Sequence, residues 1–96
     1  MPAYVIVNAR VTDPVLLDRY AKAAGPTTVK YPCKVLVATN DAEVIEGEPV
    51  GPRVVVLEFP SREAALAWYN SEEYQAVIGM RHDSTEGFLL VADGLG

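Results

Sequence analysis

Few side chains in this 96-residue chain have the chemistry of a catalyst, and His82 is the only histidine among them. It follows Arg81 and precedes Asp83, in a polar stretch that we predict to be a loop after the last helix. An imidazole in such a loop could act as a general acid–base at the mouth of a pocket, with the neighbouring carboxylate beside it. The alternative is an exposed histidine without a functional role, and a lone histidine in a polar loop is more often of this kind.

A second candidate cluster comes from the polar ends of two predicted strands. Asn8 and Arg10 follow an apolar beginning in the first strand, and Glu58 does the same in the third. We predict that these strands lie side by side and parallel, so that the three side chains converge at one end of the sheet. One interpretation is a structural ion pair between Arg10 and Glu58. The other is a pocket floor, in which Arg10 orients a carboxylate or enolate and Glu58 accepts a proton, although the adjacent arginine would weaken that base.

The aromatic residues and the only cysteine have both a packing and a chemical interpretation. Trp68 and Tyr31 are candidates for substrate binding, together with Arg81, although such aromatic residues more often fill a core or an interface. Tyr20 and Tyr74 share the packing interpretation, and a tyrosine hydroxyl on a pocket wall could orient a ligand. Cys33 is interpreted as a small core residue, because no histidine can be paired with it from the sequence.

Composition excludes several classes of function. Eight Lys and Arg against thirteen Asp and Glu give a net charge of −5, which argues against nucleic acid and against an anionic membrane surface as partners. One histidine, one cysteine and scattered carboxylates do not form a metal site, and no glycine-rich phosphate loop is present, so we expect no cofactor. The first residues have neither a basic segment nor an apolar run of the length that a signal peptide needs, so we expect a cytoplasmic protein.

The pattern of apolar residues, caps and breakers predicts the element order β-α-β-β-α-β. Asp13 and Pro14 begin the first helix, Gly25-Pro26 ends it, and a short turn follows over 27–31. We predict strands over 3–12, 33–39, 53–59 and 88–92, a short extended piece over 43–46, and a second helix in two parts that are capped by Ser61 and Ser71 and end at Gly79. This order predicts an α+β, ferredoxin-like fold in one domain over residues 1–96, with an antiparallel sheet and both helices on one face.

Alternation along the strands assigns the two faces of this sheet. The helix-facing sets are uniformly apolar and consist of Val5, Val7, Ala9 and Val11 in the first strand and Val55, Leu57 and Phe59 in the third. The opposite sets consist of Tyr4, Ile6, Asn8 and Arg10, and of Val54, Val56 and Glu58. Because their apolar halves form a patch too large to leave in water, we predict a homodimer in which two sheets pack face to face.

Several longer segments carry a family resemblance. They are MPAYVI at 1–6, VTDP at 11–14, GPT at 25–27, EVIEG at 43–47, VVLEFPS at 55–61, AWY at 67–69 and EYQ at 73–75, with Tyr20, Tyr31 and Arg81 between or after them. Nearly the whole chain thereby resembles the domain-of-unknown-function family numbered 1330, in the dimeric α/β-barrel superfamily. His82 lies outside the shared pattern. The resemblance implies a ferredoxin-like protomer and a dimer formed by its sheets, and it names no reaction.

Relatives within that superfamily include cofactor-free monooxygenases, muconolactone isomerases and haem-binding proteins, so the resemblance implies small-molecule chemistry at most. The first hypothesis is a homodimer that binds a small organic molecule between sheet and helices. Its reaction class would be cofactor-free proton transfer or oxidation of an activated carbonyl compound, with Glu58 or His82 as base. The second hypothesis is a non-catalytic structural or interaction module in which the Arg10–Glu58 cluster only stabilises the fold.

Overall fold

A computed structural model describes residues 1–96 and contains one four-stranded sheet. The strands are β1 (Ala3–Val11), β2 (Lys34–Thr39), β3 (Arg53–Phe59) and β4 (Thr85–Asp93), and the helices are α1 (Pro14–Lys30), α2 (Arg62–Tyr69), α3 (Glu72–Gln75) and α4 (Ile78–Ser84). The strand order is β2-β3-β1-β4, and every neighbouring pair is antiparallel. The predicted element order and antiparallel sheet are confirmed. The predicted parallel pairing of β1 with β3 is wrong.

Local chemistry begins three of the four helices where the sequence predicts. The Asp13 carboxylate accepts a hydrogen bond from the Leu16 amide at 3.0 Å, and Pro14 occupies the first helical position. The hydroxyls of Ser61 and Ser71 accept from the amides of residues 64 and 74, each at 3.1 Å. Each cap satisfies an amide that has no partner within its helix, which is why these residues fix the helix starts.

The first helix does not end at Gly25-Pro26 as predicted but continues to Lys30. A proline disfavours the α conformation of the preceding residue partly by contact with its Cβ, and Gly25 has none. Beyond the proline, the Thr27 side chain is buried, donates to the Ala24 carbonyl at 2.6 Å and accepts from Trp68 Nε1 at 3.0 Å. These contacts hold the last turn of α1 against α2, so tertiary packing overrides the local breaker.

We expect the substitution Pro26→Ala to stabilise the protein by about 1–3 kcal/mol, because an interior proline removes one hydrogen bond of the helix and costs about 3 kcal/mol relative to alanine. Pro26 is exposed, so the change removes no core contact. Thermal unfolding followed by circular dichroism measures the effect. Pro32→Ala, just outside the helix, is the matched control and should not raise the melting temperature. An unchanged or lower melting temperature for Pro26→Ala would contradict the continuous helix.

Other boundaries also differ from the prediction. Gly79 does not end the helical region, because it lies inside α4 with ordinary helical backbone, whereas a capping glycine needs a positive φ. The following strand begins at Thr85, before Gly87, where any Cβ would lie 2.1 Å from the Asn8 carbonyl oxygen. That glycine therefore allows β4 to pair closely with β1. Residues 43–46 form no strand and belong to the loop between β2 and β3.

The helices cover one face of the sheet, as alternation predicts. Val5, Val7 and Ala9 are buried there, together with Leu57 and Phe59. They form one core cluster with side chains from four helices, which are Ala24, Ala65, Trp68, Tyr74 and Ile78. None of the helices has the length and apolar composition that a bilayer-spanning segment requires.

Candidate functional site

A cavity of about 170 Å³ lies between α1 and the helix-facing side of the sheet. Its walls are mostly apolar and come from all four strands, from α1 and α2, and from the two short helices that follow. An apolar protein cavity of about 150 Å³ is large enough to hold benzene. The space therefore suits one six-membered ring with small substituents.

Two tyrosine hydroxyls form a polar pair on the wall of this cavity. Tyr20 on α1 and Tyr74 on α3 place their hydroxyl oxygens 2.7 Å apart, and their rings meet edge to face. Burial is the main cause that raises the pKa of the Tyr20 phenol, and Tyr74 raises it further, whereas the charges of Arg81 and Arg53 oppose the rise. Tyr20 is thus neutral at physiological pH. One hydroxyl donates to the other, and the second keeps a hydrogen for a ligand oxygen.

Two arginines also line the cavity. Burial lowers the pKa of Arg53, although a guanidinium remains charged in proteins, and its Nη1 donates to Asn40 Oδ1 at 2.7 Å. Arg81 on α4 has a buried Nε that lacks a hydrogen-bond partner. No aspartate, glutamate or histidine lines the cavity. Its charged groups are therefore two cations, and its hydroxyls belong to the tyrosine pair and to Thr28 and Thr85. This arrangement favours an anionic or strongly polarised oxygen.

Trp68 forms the aromatic wall of the cavity. Its ring lies 4.1 Å from that of Tyr74 and 5.5 Å from that of Phe59, measured between centroids. The indole Nε1 is satisfied by Thr27, so the ring is fixed by packing and by one hydrogen bond. It is the only tryptophan of the chain, and its fluorescence therefore reports on the cavity alone.

A depression of about 520 Å³ lies beside the cavity on the surface. Leu17, Ala21 and Arg53 line both spaces, and Asp18 and Asn40 line the outer one. Ala21 is exposed, so the smallest side chain of this set lies at the junction. The shared residues place this depression next to the part of the cavity that Arg53 lines.

Of the seven side chains that the sequence nominates for the site, two line the cavity: Trp68 and Arg81. The other five lie elsewhere, for reasons that differ from one residue to the next. The clearest case is the expected convergence of Arg10 with Glu58, which does not occur. In the antiparallel register Glu58 lies opposite Tyr4, six residues along β1 from Arg10, or about 20 Å at the usual rise of a strand.

Each member of that expected cluster has its own partner on the open face. Arg10 forms an exposed ion pair with Glu86 on β4. Glu58 accepts from the Tyr4 hydroxyl at 3.1 Å, a hydrogen bond that is the main cause raising the pKa of that phenol. Asn8 donates to the carbonyls of residues 51 and 53 at 2.9 and 3.1 Å and accepts from the amide of residue 50 at 2.9 Å. Asn8 thus holds the end of the β2–β3 loop.

Tyr31 and His82 also lie outside the cavity lining. The Tyr31 hydroxyl donates to Glu73 at 3.3 Å, and the same carboxylate is paired with Lys30 at 2.6 Å, which lowers the pKa of Glu73. His82 is exposed in the last turn of α4 rather than in a loop, because the helix extends past Gly79. Its ring faces an outer groove beside β4, and Arg81 lies between this groove and the cavity.

Three residues of the site follow from signals that the sequence interpretation did not use fully. Arg53 has the same strand parity as Val55 and Leu57, so alternation alone places it on the helix-facing side. Tyr20 and Tyr74 are spaced with their helices' apolar residues, and no local signal shows that their hydroxyls meet. Cys33, by contrast, is half-buried against the core, and burial raises the pKa of its thiol, in agreement with a packing role.

A four-stranded antiparallel sheet in the order β2-β3-β1-β4, covered on one face by helices, defines a ferredoxin-like fold. Residues 2–95 match the model of the family described as Domain of unknown function (DUF1330), and the chain belongs to that family. No curated protein matches the chain.

Solved structures share this fold. A protein of unknown function from Rhodopseudomonas palustris, RPA0582, has a TM-score of 0.78 at 17% identity, over 99% of this chain and 83% of that one. SnoaB, a cofactor-independent oxygenase from Streptomyces nogalater, has a TM-score of 0.67 at 7% identity, over 99% and 94%. A dimeric protein of unknown function with a ferredoxin-like fold from Bacteroides fragilis has a TM-score of 0.61 at 12% identity, over 97% and 95%. At these identities the likeness extends to the fold alone.

Proposed function

We propose that this protein binds a small organic molecule, mostly apolar and about the size of one substituted six-membered ring, in the cavity between α1 and the sheet. The observation that carries the proposal is the cavity itself, which combines apolar walls with a few polar groups at defined positions. Ligand sites in proteins generally have this composition, in which the apolar surface supplies affinity and the polar groups supply orientation. A cavity kept only by poor packing would not bring two arginines and two tyrosine hydroxyls together.

The reaction class that we propose for this site is the cofactor-free oxidation, by dioxygen, of an activated carbonyl compound that enters as its enolate. Proton transfer, the other expected class, would need an acceptor outside the lining, which contains no aspartate, glutamate or histidine. The cations and hydroxyls would stabilise the enolate of such a compound, since charge that develops in an apolar cavity interacts strongly with fixed donors. SnoaB, which has the same fold, is described as a cofactor-independent oxygenase. Glu58 and His82 do not line the cavity, so neither is assigned here as its base.

We further propose that two copies of the chain pack through the open faces of their sheets. One row across this face is entirely apolar, with Val37 paired to Val56, Val56 to Ile6, and Ile6 to Leu90. Leu90 and the neighbouring Phe88 are 43% and 46% exposed in the protomer. Polar pairs lie on both sides of this apolar patch: Tyr4 with Glu58 on one side and Arg10 with Glu86 on the other. An apolar centre with a polar rim is the usual anatomy of a protein interface.

Binding can be tested by the melting temperature of the protein with phenol, benzoate or nitrobenzene as one-ring probes. A ligand present at ten times its dissociation constant stabilises the native state by about 1.4 kcal/mol, or roughly 5–10 °C for a domain of this size. We expect at least one probe to produce such a rise and to change the fluorescence of Trp68. The substitution Ala21→Phe should abolish both effects, because it fills the junction between depression and cavity.

The matched control is Ala67→Phe, which adds the same side chain at an exposed position of α2 that lines no pocket. This variant should respond to the probe like the wild type. Equal loss of the response in both variants, or no response of the wild type to any probe, would contradict the binding site. The second outcome would favour the alternative of a non-catalytic interaction module.

A further inference from the structure

We infer that the cavity takes its ligand as a preformed anion, so that the compounds it selects are one-ring molecules whose single acidic oxygen group is ionised before entry. This inference rests on the proposed function and adds the charge and the chemical class of the ligand. The shared chemistry is one anionic oxygen group on a compact ring, supplied either by an acidic phenol or enol or by a carboxylic acid.

The first argument is an unpaired donor in the wall. Arg81 Nε is the only buried side-chain nitrogen or oxygen in the chain that lacks a hydrogen-bond partner. A buried donor without a partner costs about 1–3 kcal/mol, and hydrogen bonds that involve charged groups are the strongest ones available to it. An anionic oxygen bound beside Arg81 would supply the missing acceptor.

The second argument is the charge of the lining. Arg53 and Arg81 bring two positive charges, and no carboxylate among the lining residues balances them. Tyr20 and Tyr74 are hydrogen-bonded to each other and leave one hydroxyl hydrogen to donate. The only carboxylate that lines the outer depression belongs to Asp18, which is exposed and paired with Lys22 at 3.1 Å. A monoanion therefore enters a region that already carries the opposite charge.

The third argument is the absence of a proton acceptor from the lining, which contains no aspartate, glutamate or histidine. A neutral acid inside the cavity has no side chain to which it can transfer its proton. The O–H bond of the ligand must then break in solution, where water or buffer takes the proton and the electron pair stays on the oxygen that enters. The affinity for a weak acid should consequently rise with pH until that acid is fully ionised, and then level off.

The experiment compares 4-nitrophenol with nitrobenzene, its neutral analogue of similar size, by titration of the Trp68 fluorescence from pH 5 to 9. We expect 4-nitrophenol to bind at least tenfold more tightly than nitrobenzene above its own pKa, and its visible phenolate band should increase on binding at a pH below that value. Benzoate forms a second arm. Binding of benzoate as tight as that of the phenolate identifies carboxylates as a source of the anion, and much weaker binding restricts the source to phenols and enols.

The variant Arg81→Gln should reduce the affinity for 4-nitrophenolate by about tenfold or more and leave that for nitrobenzene unchanged. Arg62→Gln is the matched control, since Arg62 pairs with Asp93 on the outer surface. Nitrobenzene that binds as tightly as the phenolate, or an affinity independent of pH, would overturn the inference and leave the binding site itself intact. If neither compound binds, the proposed function fails together with the inference.

Discussion

Replacement of Leu90 by aspartate is expected to dissociate the proposed homodimer into monomers at micromolar concentration. Leu90 ends the apolar row that crosses the open face through Ile6 and Val56. In a two-fold interface each substitution occurs twice, and each buried, unpaired carboxylate costs several kcal/mol. The dissociation constant should therefore rise by more than a factor of about 10⁴, at the usual 1.4 kcal/mol for each tenfold change. Light scattering coupled to size exclusion, or sedimentation velocity, measures the change directly.

The control for this experiment is Val15→Asp, a change at an exposed apolar position in the first turn of α1, on the helical side of the protein. That variant should stay dimeric, and aspartate is favourable so close to a helix N-terminus. Because Leu90 is partly exposed in the protomer, Leu90→Asp should keep the circular dichroism spectrum of the wild type. A wild-type protein of single-chain mass, or a Leu90→Asp variant that remains dimeric, would disprove packing through the open face.

The substitution Trp68→Ala is expected to lower the free energy of unfolding by about 3–5 kcal/mol, the usual cost of truncating a buried tryptophan or phenylalanine. Only 2% of Trp68 is exposed, and its ring contacts Tyr74 and Phe59. The change also removes the hydrogen bond to Thr27 that holds the last turn of α1. Urea unfolding followed by circular dichroism gives the difference. Native stabilities are commonly 5–15 kcal/mol, so the substitution removes a large fraction of the total.

A second variant at this position separates packing from hydrogen bonding, and a variant elsewhere on the helix is the control. Trp68→Phe keeps an aromatic ring and loses the indole donor, so we expect a smaller loss of about 1–2 kcal/mol. Leu66→Ala, at a position of the same helix that is 42% exposed, should cost no more than about 1 kcal/mol. A Trp68→Ala variant within 1 kcal/mol of the wild type would show that the aromatic cluster contributes little to the core.

The parts of the fold that depend on local chemistry are predictable from the sequence. Alternation in β1 and β3 identifies the buried face, because successive side chains of a strand point to opposite sides whatever its neighbours are. The caps at Asp13, Ser61 and Ser71 begin their helices, because each satisfies amides one turn away. The helix boundaries at Gly25 and Gly79 are not predictable in this way. The contact of Thr27 with Trp68 holds the chain helical past Gly25, and Ile78 and Ser84, buried on either side of Gly79, hold α4 against the core.

The candidate site is harder to predict from the sequence than the fold. Its polar groups come from β3, α1, α3 and α4, and their distances depend on how these elements pack. The expected proximity of Arg10 and Glu58 fails for a single reason: the direction of β3 relative to β1 decides which ends of the strands meet. Trp68 and Arg81 can be nominated from residue type. The contact between Tyr20 and Tyr74 requires the three-dimensional structure.

The alternation of β3 has a consequence for how this protein can diverge. Arg53, Val55 and Leu57 line the cavity, whereas Val54 and Val56 belong to the apolar part of the opposite surface. Under the two proposals made above, neighbouring residues of one strand are subject to different selective pressures, one on the proposed ligand and the other on the proposed self-association. Substitutions at odd-numbered positions of this strand would then change the ligand preference without changing the proposed quaternary structure.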